Sequence, residues 1–172
     1  KPKKIFEIYT RNKSETKSIN YKPEDHTLNP VIAQPKQGWR THLSYKINTS
    51  FTFRSRAELS WYDKRGTAKE TGFLLYADVL YKPIMQPFQA SVRLQYFETD
   101  GYNSRLYAYE NDVLYSFSIP VFYDKGYRYY LNVNYELTRK ITLWGRVAQY
   151  FYPDKQSIGS YLYLLKIPHT TQ

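Results

Sequence analysis

Three groups of side chains have the types and spacing from which chemistry could be built. The first is His42 with Ser44, Glu58 and Ser60. Acyl transfer needs a serine Oγ, an imidazole to take its proton and a carboxylate to hold the imidazole. At period-two spacing His42 and Ser44 share one strand face, and Glu58 and Ser60 fall on the polar face of the next strand. Strand-face serines are common, so a hydrogen-bonded or solvent-facing His42 is the plainer expectation, and no catalytic residue is assigned. The second group is Glu110-Asn111-Asp112, with Asp100 nearby. It could gather oxygen ligands for Ca²⁺ at a loop, but the spacing is not that of an EF-hand, and capping and turn hydrogen bonds are favoured. His26 and His169 have no matching ligand spacing, so no metal site is assigned.

The third group interleaves arginine with tyrosine, at Arg105–Tyr109, Tyr127–Tyr130 and Arg146–Tyr150. Guanidinium and phenol faces can stack on bases or sugars. A nucleic-acid- or glycan-binding module is therefore an alternative to carry forward, with nucleic acid only weakly suggested. No G-x-S-x-G elbow, phosphate-binding loop or dinucleotide fingerprint occurs. There is no Cys, which excludes thiolate metal sites, Cys nucleophiles and a disulfide scaffold. No cofactor is expected.

The elements that position these residues are strands. Of 172 residues, 20 are Tyr, 9 Phe and 3 Trp, a composition suited to pleated, half-buried surfaces. Period-two alternation recurs over Gly38–Asn48, Phe51–Tyr62, Phe73–Tyr81, Phe88–Phe97, Tyr127–Leu137 and Ile141–Tyr152. A less regular stretch predicts a further strand over Asp112–Ile119, ended by Pro120, and Lys4–Arg11 and Tyr161–Ile167 are weaker candidates. Asn48-Thr49-Ser50, Asp63-Lys64-Arg65-Gly66, Asp124-Lys125-Gly126 and Thr138-Arg139-Lys140 supply turns. Ser14–Gln37, polar and with three prolines, reads as a long loop.

The fold class predicted is all-β: an antiparallel up-and-down meander of about 8–9 strands, forming a membrane β-barrel or part of one, in a single domain spanning 1–172. The longest run without Asp, Glu, Lys or Arg is the eleven residues Val113–Tyr123. A spanning helix needs about 20. The mean hydropathy of −0.67 is compatible with a barrel whose lumen and loops are polar.

Alternation alone leaves open which way the apolar face points. In a soluble sandwich it turns inward; in a membrane barrel it turns outward. Two features favour outward. The polar faces carry Arg54, Arg56, Glu58, Asp78, Arg93, Arg128, Glu136 and Arg146, a set that could form ion pairs across a lumen. Aromatics gather towards strand ends at Trp39, Trp61, Tyr81, Tyr96, Tyr127 and Tyr150, as in interfacial girdles. Formal charge is uneven: residues 1–69 hold 15 Lys/Arg against 6 Asp/Glu, and residues 70–172 hold 10 against 9. The basic half could meet lipid phosphates, although solvated strand edges and loops explain it more plainly.

SRLYAYENDVLYSFSIPVFYDKGYRYYLNVNYEL (Ser104–Leu137) and LWGRVAQYFYPDKQSIGS (Leu143–Ser160) resemble the C-terminal region of a family of Bacteroidetes outer-membrane proteins. Gly38–Tyr62 and Glu70–Pro83 also fit. Members usually carry helix-hairpin-helix (ComEA-like) repeats ahead of the barrel region, and this chain has none. The resemblance implies a bacterial outer-membrane location, an antiparallel barrel and no known catalytic residues. It also implies outer-membrane lipid as a partner, with lipopolysaccharide phosphates and other subunits of a membrane complex as further expectations. The last twelve residues, YLYLLKIPHTTQ (161–172), depart from the family pattern as a divergent tail. Three function classes follow. First is a non-enzymatic outer-membrane barrel acting as pore, anchor or scaffold. Second is a binding module using the Arg/Tyr faces, and third a barrel hydrolase centred on His42.

Overall fold

The computed structural model describes residues 5–20, 31–153, 157–158 and 165–166. Seven long strands run β1 (Phe6–Asn20), β2 (Val31–Lys46), β3 (Phe51–Tyr62), β4 (Glu70–Tyr81), β5 (Phe88–Thr99), β8 (Lys125–Thr138) and β9 (Ile141–Phe151). They form one sheet in that order, every neighbour antiparallel. The short strands β6 (Leu106–Tyr107) and β7 (Val121–Phe122) pair with each other, as do β10 (Ser157–Ile158) and β11 (Leu165–Lys166). The fold is thus an all-β antiparallel meander. Its long strands have 11 to 16 residues: β3, β4, β5 and β9 have 11 or 12, and β1, β2 and β8 run to 15, 16 and 14. Among the described residues β1 and β9 each have one neighbour, so the sheet is open at both edges. With seven alternating strands, β1 and β9 run in the same direction.

Turn chemistry fixes the register. Asn48 Oδ1 accepts from the backbone N–H groups of Ser50 and Phe51, both at 2.8 Å, closing β2 onto β3. Thr138 Oγ1 accepts from Ile141 N at 3.1 Å between β8 and β9. At this end the connections are 47–50, 82–87 and 139–140; at the other they are 63–69 and the long segment 100–124.

Two expectations need correction. Ser14–Gln37 is not a loop throughout: residues 14–20 belong to β1 and 31–37 to β2, and only 21–30 lie outside the described residues. The pairing runs on to Asn20↔Val31, beyond the end of β3 at Lys36↔Tyr62. Over 31–35, β2 has one neighbour, which is where a strand tolerates Pro35, as proline lacks the N–H of a two-sided ladder. Nor does Asp112–Ile119 form a strand. Ser116 N donates to Val113 O at 3.1 Å, Tyr115 has φ 66°, and one isolated bridge joins Glu110 to Ser118. This segment lies on the sheet and is not part of it. His26, His169 and most of the tail 161–172 lie outside the described residues.

The sheet's two faces are inverted relative to a soluble sandwich. The buried apolar cluster lies on the polar face, where Leu74, Tyr76, Phe97 and Tyr152 meet Leu106, Ala108 and Phe122 of the 100–124 connection. The opposite face is open, with Leu94 at 64% and Val147 at 63% exposure.

Candidate functional site

Alternation delivers the charged residues of β3, β4, β5, β8 and β9, all but Glu98 and Lys125, to one face, and cross-strand register makes them neighbours. Asp78 on β4 is the direct partner of Arg93 on β5. Arg93 donates to both carboxylate oxygens, Nε to Oδ1 at 2.5 Å and Nη2 to Oδ2 at 2.7 Å. Its third donor, Nη1, reaches Tyr109 O at 2.7 Å, and its guanidinium lies 3.7 Å from the centre of the Tyr76 ring. Asp78 is 2% exposed and Arg93 4%. Such a pair is tolerable in an apolar setting only with its hydrogen bonds satisfied; here they are.

The segment 102–122 covers this face as a plug. Gly101 leads into a single 3-10 turn, Tyr102–Ser104. Glu70 clamps that turn by accepting from Asn103 N at 2.9 Å, Ser104 N at 3.0 Å and Asn103 Nδ2 at 2.7 Å. The turn lies so close to β4 that a Cβ on Gly72 would fall 2.4 Å from Ser104 O. Farther along, the plug inserts Glu110, fully buried, between two arginines. Arg128 donates to it from Nε at 2.7 Å and Nη2 at 2.9 Å, and Arg146 Nη2 donates to Oε2. Arg146 also reaches Asp112 Oδ2 at 3.2 Å, and Asn132 Nδ2 donates to Asp112 O at 3.0 Å. The Glu110 carboxylate and Asp112 Oδ2 thus face guanidinium groups, and Asp100 is held elsewhere, by Thr71 N and Oγ1.

Most of the expected polar-face residues converge. Arg56, Asp78, Arg93 and Arg128 are buried, Arg146 is half-buried beside them, and Glu58 joins Arg40 (2.9 Å) to Arg56. Arg54 is half-buried on the same face, in register with Asp78. Glu136 shares the parity of Arg128 but lies past the end of the plug, exposed, and is not part of the network. Tyr150, an aromatic expected near a strand end, lies on the polar face. Its even parity on β9 puts it beside Arg146 on the polar face, with Arg128 4.1 Å from its ring centre and its hydroxyl donating to Val121 O at 3.3 Å.

The Arg/Tyr interleaving is also spent internally. Arg93 stacks on Tyr76, Arg128 on Tyr150 and Arg105 on Tyr102 (4.2 Å), leaving those guanidinium faces covered. His42 packs against Tyr9, ring centres 5.3 Å apart. Among the described residues no hydrogen bond joins it to Ser44, Ser60 or Glu58, so the constellation for acyl transfer is not assembled.

Trp39, Trp61, Tyr81, Tyr96 and Tyr127 share the opposite face, and the register arranges them with other aromatics into two rows. Four consecutive strands each carry an aromatic pair eight residues apart: Phe53 and Trp61, Phe73 and Tyr81, Phe88 and Tyr96, Tyr127 and Tyr135. Ring contacts Phe51–Tyr81–Phe88 (4.8 and 6.1 Å) mark one row, and Phe73–Tyr96–Tyr127 (6.2 and 5.2 Å) the other. At roughly 3.3 Å per residue the rows stand about 26 Å apart along the strands. No Asp, Glu, Lys or Arg occurs on this face between them on any of the seven strands. Sequence reasoning missed the eight-residue spacing, although each pair is readable once the strands are aligned.

No family model, curated protein or solved structure matches the chain. Its reading rests on this geometry.

Proposed function

We propose that this chain is the wall of a non-enzymatic outer-membrane β-barrel, acting as pore, anchor or scaffold, with the plug 102–122 filling its lumen. One observation carries the reading: an exposed, charge-free face bounded by two aromatic rows, opposite a charged face buried under the chain's own loop. Water penalises a large exposed apolar patch, whereas lipid favours it. Barrels of this kind carry an apolar band about 25 Å tall between aromatic girdles. The rows' separation along the strands, shortened by a strand tilt of about 40°, gives roughly 20 Å, which suits a thin outer membrane. No helix of the described residues is long and apolar enough to cross a membrane, and the reading requires none. The resemblance to Bacteroidetes outer-membrane barrels agrees with it.

Under this reading the short connections at 47–50, 82–87 and 139–140 face the periplasm and the long-loop end faces outward, since barrels have short periplasmic turns and longer outer loops. Antiparallel closure needs an odd number of further strands, because β1 and β9 run the same way.

The test uses the three tryptophans. Trp39 and Trp61 lie on the apolar face and Trp144 on the polar one. In vesicles doped with headgroup-proximal brominated lipid, variants retaining only Trp39 or only Trp61 should be quenched, and one retaining only Trp144 should be spared. A detergent-free monomer showing no quenching at Trp39 or Trp61 overturns the proposal.

A further inference from the structure

The plug's carboxylates pair with arginines of β8 and β9, and among the described residues none of them reaches a cation of β1 or β2. At the long-loop end, on the polar face, a cleft of about 450 Å³ opens between β1, β2, β3 and the start of the plug. Six cationic side chains line it (Arg11, Lys13, Lys17, Lys36, Arg40 and Arg105) against two carboxylates, Glu15 and Glu58. Both carboxylates are already engaged: Glu15 by Lys13 and Lys17, Glu58 by Arg40 and Arg56. Among the described residues, Arg11, Lys36 and Arg105 have no carboxylate within ion-pair distance. Lys36 is held in place by Asn103 O and Arg105 O, at 2.9 and 3.0 Å, and Arg105 is braced by Tyr102 O and the Tyr107 hydroxyl.

A second observation is independent of charge. Ser60 lines the cleft at 2% exposure, and its Oγ has no hydrogen-bond partner among the described residues; neither has the buried Nε of Arg40. Buried polar atoms without partners are uncommon enough to need an explanation. Here both are donors, beside a surplus of fixed positive charge.

We propose that this cleft binds a multiply charged phosphorylated saccharide. The volume falls within the range of small-molecule sites, roughly 300–1,000 Å³. Prepositioned Arg and Lys supply charge-assisted bonds to phosphate oxygens, with Ser60 and Arg40 Nε donating to what lies deepest. A free sugar phosphate and the phosphorylated glycolipid headgroup of an outer leaflet share this chemistry. The site does not require the apolar face to lie in lipid, so its failure and the failure of the barrel reading are separable.

The test is calorimetric titration of the whole chain in detergent with glucose 6-phosphate and pyrophosphate, with glucose as control. A second arm uses micelles of a bis-phosphorylated glycolipid and of its dephosphorylated form. Arg11→Gln/Arg105→Gln should weaken phosphate binding at least tenfold. Lys140→Gln, at the opposite end in the β8–β9 turn, removes a charge outside the cleft and should leave affinity unchanged. Ser60→Ala should weaken binding severalfold without changing salt dependence. Binding of the soluble phosphates identifies a solute site; binding of phosphorylated micelles alone, with the same dependence on the variants, identifies a lipid headgroup. No phosphate-dependent binding in either arm, or equal losses in Lys140→Gln and the cleft variants, overturns the proposal.

Discussion

Replacing Glu110 with Gln should release the plug without unfolding the sheet. Glu110 is fully buried and takes three charge-assisted hydrogen bonds from Arg128 and Arg146. The amide keeps the shape, so no cavity opens, but its NH₂ faces guanidinium donors, Arg128 loses its counterion and Arg146 keeps only Asp112. Stranding a buried partner in this way costs about 3–5 kcal/mol. The opposing quantity is what holds the plug down. Leu106 and Phe122 are its large buried apolar anchors, worth roughly 1.5–3 kcal/mol each before the entropy of ordering the segment is subtracted. The two magnitudes are comparable, and lifting the plug lets Arg128 and Arg146 hydrate. Opening is therefore the cheaper response. Amide exchange over the plug should accelerate about 100-fold, equivalent to roughly 3 kcal/mol, while the centres of β4 and β5 stay protected. Glu98→Gln is the control: Glu98 and Lys125 are 3.7 Å apart and half exposed, so tenths of a kcal/mol are expected. If Glu110→Gln accelerates exchange no more than Glu98→Gln does, the plug is not held by this network and the reasoning fails.

Gly72→Val should displace the 3-10 turn, since its side chain would meet Ser104 O; a loss of about 1–3 kcal/mol is expected, with faster exchange at Asn103–Arg105 as the local readout. Val147→Arg, on the open face of β9, should destabilise the protein in lipid vesicles by about 2–4 kcal/mol, whereas a residue that faces water should change stability by under about 0.5 kcal/mol. Urea titration in vesicles separates the two. Asp100 is held below the ordinary Asp value of 3.8 by hydrogen bonds from the Thr71 hydroxyl and backbone N–H. A depressed carboxyl contributes stability that is complete above the unfolded value and lost as pH falls through the folded one. Asp100→Asn should therefore lower Tm modestly at pH 7 and make no difference once the wild-type carboxyl is protonated; a Tm gap that persists in strong acid would contradict this.

The strands were legible because alternation at period two survives in β3, β4, β5 and β8 almost without interruption, and the paired faces follow from parity alone. Two segments were misread for opposite reasons. Residues 14–20 are mostly polar and 31–37 begin with a Val-Ile-Ala run before Gln-Pro-Lys-Gln, so neither carries alternation; they are strands because β1 and β2 continue to pair beyond the rest of the sheet. Residues 112–119 are apolar and charge-poor, so they resemble a strand, yet Glu110 and Asp112 commit them to the arginines beneath. The buried network was half legible. Its arginines and Asp78 sit in alternating strands, but the acids that complete it come from a loop whose position depends on a non-local fit. Arg11, Lys36 and Arg105 gave no local signal, since the cleft unites three segments far apart in sequence.

The uneven charge along the chain has a physical partition. Where the sheet is covered, acids match bases: Asp78 with Arg93, and Glu110 and Asp112 with Arg128 and Arg146. A buried guanidinium without a counterion would cost several kcal/mol, so excess charge cannot accumulate under the plug. It can accumulate where the polar face stays open to water. The cleft beside β1 and β2 is such a place, and five of its six cations come from those two strands. Solvation alone would permit that excess, but it would not leave the buried Ser60 Oγ unpaired beside it. The pairing of charge with unfilled donors separates a merely basic surface from one built to receive an anion. It also makes Ser60→Ala the decisive variant, since it alters the donor and leaves the field unchanged.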